Sequence, residues 1–175
     1  ESVLKLKPED FDKQFLEWLG EQHKATLARF EEWSKDMKPM NAAVKAQQWD
    51  EVLKLAPRLR DEYPEYVEAG NHYEALASVY LAKGEKAKAI AELERYARIG
   101  GRDPATLKKL SALQEEAGNP KAAEETLRRI LYIYPTKDEE LHRKLATLRA
   151  GLKQWEGSAE EWRAVNRHFE RLAQR

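Results

Sequence analysis

YEALASVYLAKGEKAKAIAELERYARIGGRDPATLKKLSALQEEAGNPKAAEETLRRILYIYP, residues 73 to 135, is the stretch that decides the fold. One pattern occurs in it twice, with glycines at 84 and 118, thirty-four residues apart. In the first copy Tyr73, Leu76, Ala77 and Tyr80 fall three or four apart, Gly84 breaks the run, and Ala89, Ile90, Leu93 and Tyr96 resume the spacing. That interval is the period of a helix, not of a strand. In the second copy Leu107, Leu110 and Ser111 precede Gly118, then Ala123, Leu127, Ile130 and Leu131 follow, and the unit closes on Tyr134-Pro135. Small residues suit helices that cross closely, and glycine suits a chain that turns through positive φ. Both turn glycines are therefore expected in the left-handed region.

A helix–turn–helix unit of this length, with an aromatic-leucine-small face before a glycine turn and alanines after it, resembles the tetratricopeptide repeat. The resemblance implies an all-α fold, a right-handed superhelical α-solenoid of tetratricopeptide-like helix pairs with about 9–10 helices. Repeats are assigned to residues 37–66, 67–101, 102–135 and 136–175. Residues 1–36 are read as N-terminal helices that cap the array or are the remnant of an upstream domain.

Upstream of the repeats, Pro8 sits in a helical first turn, and Phe11, Phe15, Trp18 and Leu19 are expected to form the buried face of a helix that Gly20 ends or interrupts. A second helix, about 21–34, carries Leu27, Phe30 and Trp33. Pro39 is expected to open a short helix from Asn41 to Gln48, with Trp49 at its turn and a partner helix from Asp50 to about Glu62. Between repeats two and three, Gly100-Gly101 reads as a helix stop and Asp103-Pro104 as an N-cap followed by proline at the first helical position. Downstream, Leu141, Leu145, Ala146 and Leu148 mark the first helix of a degenerate fourth repeat, Gly151 to Trp155 its turn, and Trp162, Val165 and Phe169 the face of its second helix. Nothing follows to cover Trp162 and Phe169, which points to a missing next repeat or to an oligomer contact. With no initiator Met and no stop signal at Gln174-Arg175, the chain reads as a piece of a longer protein.

Composition narrows the function. The chain has 31 basic and 31 acidic residues, so no positive surplus for nonspecific nucleic-acid binding. Cysteine is absent, which removes thiol catalysis, disulfides and cysteine metal knuckles. No run approaches the roughly 18 apolar residues of a membrane helix, so no membrane insertion is expected. The histidines, His23, His72, His142 and His168, include no pair four apart, and no serine lies in a nucleophile-elbow pattern. His142 beside Glu139 and Glu140 is the best metal candidate and a poor one, since carboxylates near a helix start are favoured there by the dipole. The expectation is a chain with no catalytic residue, no metal and no cofactor.

Recognition is what remains. In tetratricopeptide arrays the first helix of each pair lines the concave side, and the face turned away from the packing residues is expected to be exposed there. In repeat two that face is Asn71, Ala75, Ser78 and Ala82, flanked by Glu74; in repeat three Ala105, Lys109, Ala112 and Glu116, flanked by Lys108; in repeat four Lys144 and Thr147, flanked by Arg143. Small residues there leave room for a peptide or helix, and Lys108, Lys109, Arg143 and Lys144 suit a partner carboxylate. The alternative is that these are simply solvated helix faces.

A second resemblance rests on longer runs: 63–68 (YPEYVE), 81–90 (LAKGEKAKAI), 93–97 (LERYA) with 100–104 (GGRDP), and 131–135 (LYIYP) followed by 138–142 (DEELH). Together they resemble the helical-repeat tail of large bacterial proteins whose upstream part is a gluzincin, or peptidase MA-like, metallopeptidase domain. Residues 8–15 (PEDFDKQF) are similar to the last helix of that domain. The resemblance brings no catalytic residue into this chain and is compatible with an extracytoplasmic setting. Three roles follow as expectations: a scaffold for a protein or peptide partner, a regulatory or substrate-presenting tail that contacts the upstream domain of its own parent chain, and a homo-oligomerisation module.

Overall fold

The computed structural model describes residues 7–133 and 138–173. Among these the chain forms eight helices: α1 (Pro8–Lys45), α2 (Trp49–Glu62), α3 (His72–Ala82), α4 (Lys86–Arg98), α5 (Pro104–Glu116), α6 (Pro120–Ile133), α7 (Glu139–Gly151) and α8 (Trp155–Ala173). Each packs on its neighbours in sequence, and α1 also reaches α3. The protein is an all-α solenoid, and its core is a chain of local clusters. One joins Trp33, Met37 and Met40 of α1 to Val52, Ala56 and Leu59 of α2 and Leu76 and Val79 of α3. The next joins Ala77 of α3 to Ala89 and Leu93 of α4 and Leu110 of α5. A third joins Leu107 of α5 to Leu127 and Ile130 of α6 and Leu141 and Leu145 of α7.

The helix-pair turns share one geometry. Gly84 and Gly118 lie at φ 76° and 77°, in the left-handed region as expected. Gln47 and Lys153 occupy the equivalent turns at φ 56° and 60° with no glycine. In every case the following amide reaches back five residues: Gln48 N to Ala43 O, Glu85 N to Tyr80 O, Asn119 N to Gln114 O and Gln154 N to Arg149 O, at 2.8–2.9 Å. These bonds satisfy carbonyls that the helix end leaves unpaired. Three first helices also begin alike, with Asn71, Asp103 and Asp138 each accepting a bond from the amide three residues on. Asp103-Pro104 is thus the N-cap and first helical residue that the sequence indicates. Gly100, at φ 109°, and Gly101, whose amide donates to Tyr96 O at 2.9 Å, stop α4. A Cβ at position 101 would lie only 2.4 Å from atoms of the Tyr96 ring.

The N-terminal region departs from expectation. The helices at about 8–19 and 21–34 and the one placed at 41–48 are a single helix, which runs through Gly20 and Pro39. A glycine inside a helix costs only about 1 kcal/mol. Pro39 and Lys35, whose carbonyl the missing proline N–H would have used, are both exposed, while Trp33, Met37 and Met40 on the opposite side anchor the helix to α2 and α3. The expected burial of Phe11, Phe15 and Trp18 is not observed. These rings are exposed, Trp18 at 56%, and Leu19 is half-buried. Among the described residues the C-terminal end of α2 meets α1 from about Leu27 and Phe30 onward, and the rings before that point stack on one another at 6.1 and 6.0 Å instead. The second helix of the first pair starts at Trp49 and continues through Pro57. Tyr134-Pro135, expected to close the third repeat, lies outside the described residues, as does the Phe169 side chain.

Candidate interaction surface

The first helices of successive pairs, α3, α5 and α7, are laced together by polar side chains. The Thr106 hydroxyl on α5 lies 2.6 Å from Glu74 Oε1 on α3 and 2.8 Å from Asp103 Oδ2. A hydroxyl has one proton, so it serves one of these carboxylates at a time. Lys108 donates to Asp138, the cap of α7, at 2.6 Å, and Lys144 reaches Glu115 at 3.4 Å. Burial works against the Asp138 carboxylate, but the Lys108 ammonium and the Leu141 amide outweigh it and hold its pKa below the usual range. The exposed Glu116 carboxyl is also lowered, by the hydrogen bond and charge of Lys86 at 2.7 Å.

These contacts locate the sequence-derived residues. Ala82, Ala105, Lys109, Glu116, Arg143 and Thr147 are exposed; Glu74, Ser78, Lys108, Ala112 and Lys144 are half-buried. Asn71 and Ala75, expected at the surface, are buried, Asn71 at 1% exposure. Asn71 is used internally: its Oδ1 accepts from the Glu74 amide and its Nδ2 donates to Glu68 O, both at 3.0 Å. Ser78 and Thr147 donate their hydroxyls to carbonyls one turn back. Of the four basic residues grouped by sequence, Lys108, Arg143 and Lys144 are matched by Asp138, Glu139 and Glu115. Lys109 has no ion-pair partner among the described residues. A recess of about 640 Å³ opens beside the Thr106 contact, lined by Glu68, Glu74, Asp103 and Arg102, with the Tyr96 hydroxyl accepting from the Asp103 amide.

Two buried polar clusters escaped the sequence reading, because each joins residues from several helices. His142 Nδ1 lies 2.5 Å from Glu161, Glu161 accepts from Arg149 at 2.7 Å, and Arg149 also binds Glu124 at 2.8 Å. The metal candidate His142 is thus engaged in an ion-pair network, and its neighbours Glu139 and Glu140 are not its partners there. Among the described residues, no three metal-ligating side chains gather. The second cluster surrounds His72 at the start of α3, fully buried, with neither ring nitrogen hydrogen-bonded and its ring 4.4 Å from that of Tyr73. Burial first, and then the Arg60 guanidinium, lower its pKa to about 4, against a smaller opposing effect of Asp61. Arg60 is held by Glu92 at 2.9 Å.

No helix among the described residues is long and apolar enough to cross a membrane. No protein-family model matches the sequence, and no curated protein matches it either. Solved structures do. YrrB, described as a TPR protein with an unusual peptide-binding site, superposes with a TM-score of 0.59 at 17% identity over 75% of this chain and 66% of its own, just under two thirds of its length. MamA gives a TM-score of 0.60 at 15% identity over 97% of this chain and 99% of its own. A second MamA structure gives 0.54 at 18% identity over 78% and 76%. With the shared turn geometry and chained clusters, these likenesses show that the chain has the tetratricopeptide-repeat fold.

Proposed function

We propose that this chain is a noncatalytic interaction scaffold that holds a peptide or helix of a partner protein against the face formed by α3, α5 and α7. The observation that carries the reading is the side-by-side array of first helices, whose small positions Ala82, Ala105 and Ala112 leave backbone-close space between polar rungs. The peptide-binding site attributed to YrrB, a protein of the same fold, supports it. Because Lys108 and Lys144 are already paired across repeats, the partner meets a balanced surface with Lys109 as its open cation. The test is selection of a peptide ligand followed by titration of the Lys108→Glu/Lys109→Glu variant; weaker binding supports the groove, and unaltered affinity removes it.

A second reading keeps the residues before Trp33 as a contact to an upstream gluzincin-like domain, with the four helix pairs over 37–66, 67–101, 102–135 and 136–175 as a regulatory tail. The exposed Phe11, Phe15 and Trp18 favour it. Peptidase activity of the parent chain that persists unchanged after deletion of residues 37–175 would argue against it.

A further inference from the structure

Away from the α3–α5–α7 face, and sharing no residue with it, a groove of about 660 Å³ opens between α1 and the C-terminal end of α2. Its walls are apolar rings: Phe30 and Tyr63, 45% and 41% exposed, with Leu27 beside them and the edge of Trp33 beneath. The rings hold one another in place. Phe30 stacks on Trp33 at 5.5 Å, Tyr63 meets both edge-on at 5.8 and 5.3 Å, and Tyr66 closes on Trp33 at 4.7 Å. Trp33 is fixed from below by the bond from its Nε1 to Leu59 O at 2.8 Å. The open rings are therefore a preorganised surface, not loose side chains.

The rim carries charge of one sign in excess. Glu32, Asp36, Asp61 and Glu62 face Arg29 and Arg58, four carboxylates against two guanidiniums, with a third guanidinium, Arg60, behind the rim and shared between Asp61 at 3.2 Å and Glu92 at 2.9 Å. Arg58 is committed to Asp36 at 2.5 Å and lies 3.9 Å from Glu62. Neither Glu32 nor Arg29 has an ion-pair partner among the described residues. A carboxylate-rimmed groove with exposed aromatic faces offers a cation two attractions, one from the carboxylates and one from the π systems. The groove also continues into a stripe. At 100° per residue, Phe11, Phe15, Trp18, Leu19, Phe30 and Trp33 fall within about 120° of the α1 circumference, the same side that α2 covers from Trp33 onward. A helical occupant would extend the layer that α2 begins.

We propose that this groove docks a cationic amphipathic helix of a partner protein, with apolar side chains against Phe30, Tyr63 and the α1 stripe and lysine or arginine among the rim carboxylates. The site is distinct from the face proposed above, and its success or failure leaves that reading untouched.

Fluorescence anisotropy with the intact chain and three labelled peptides of one amphipathic leucine pattern, their polar positions all lysine, all glutamine or all glutamate, tests this. The lysine peptide is expected to bind roughly tenfold or more tighter than the glutamate peptide. Phe30→Ser is expected to cost most of that affinity; because Phe30 also packs on Trp33 and Tyr63 it lowers the melting temperature as well, and unchanged helical circular dichroism at the assay temperature shows that the fold persists. Glu32→Gln with Asp61→Asn is expected to weaken only the lysine peptide, by roughly threefold to tenfold. Equal binding of the glutamate peptide overturns the proposal, as does an affinity that Phe30→Ser leaves unchanged and Lys109→Glu alters. A Phe30-dependent dimer seen by light scattering without peptide would make the occupant a second copy of this chain and also overturn it.

Discussion

The Ser111 hydroxyl donates to the Ala123 carbonyl at 3.1 Å across the α5–α6 crossing, with both residues fully buried. The same contact recurs in reverse at α7–α8, where Ser158 donates to Ala146 O at 2.8 Å, and Ala77 and Ala89 meet at α3–α4. Each crossing pairs small residues twelve apart in sequence. Backbones approach there because no side chain intervenes.

Ala123→Leu should therefore be costly. Adding three carbons to a closed crossing forces strained rotamers or a backbone shift, worth typically 1–3 kcal/mol. The expected result is a melting temperature lower by several degrees, while Ala122→Leu, half-buried next to it, changes little.

The four left-handed turns predict opposite effects for opposite substitutions. Lys153→Gly and Gln47→Gly should each raise stability by a fraction of about 1 kcal/mol, since a non-glycine residue pays roughly 1–2 kcal/mol there and glycine gives part back in unfolded-chain entropy. Gly118→Val should lower it by about 1–2 kcal/mol. Thermal melts of the three variants in one buffer decide the matter; equal melting temperatures would show that the turns tolerate either backbone.

Gly101→Ala is expected to destabilise by more than Gly84→Ala, although position 84 has the positive φ. A methyl at 101 meets the Tyr96 ring, itself fully buried and held by the Asp103 amide, whereas the space around position 84 is open. Chemical denaturation of both variants gives the comparison.

His72 sets a pH dependence. Its folded pKa of about 4 lies below the unfolded value of about 6.5, so the unfolded chain takes up a proton first as pH falls. Stability is full above pH 6.5 and declines between 6.5 and about 4, on the order of 3 kcal/mol in all. Over pH 6.5 to 5, before carboxylates add their own loss, His72→Phe should flatten the slope. A slope that survives the substitution would assign it to other groups.

The repeat period was legible because Gly84 and Gly118 stand where the geometry needs glycine and because Ala77, Ala89, Ser111 and Ala123 keep their spacing. The outer turns were not. Gln47 and Lys153 adopt the same conformation without the residue that announces it, and Gly20 and Gly151 stand inside helices. Along α1, apolar periodicity was read correctly as a helical face, but periodicity says that a face is apolar, not that something covers it. Asn71 misled for a related reason: helical spacing put it on the outward face, while its side chain bends back to cap α3.

Leu76 and Ala77 are neighbours in sequence, yet they belong to two different clusters, one on each side of α3. Leu107 and Leu110 divide α5 in the same way. α3 and α5 are thus walls common to two rooms, and none of the three clusters can be opened without stripping one side from the next. Loosening at either end should travel inward by degrees, with amide exchange fastest in the outermost helices and slowest in α4 and α5, and a partner that clamps one helix pair would slow exchange in pairs it never touches.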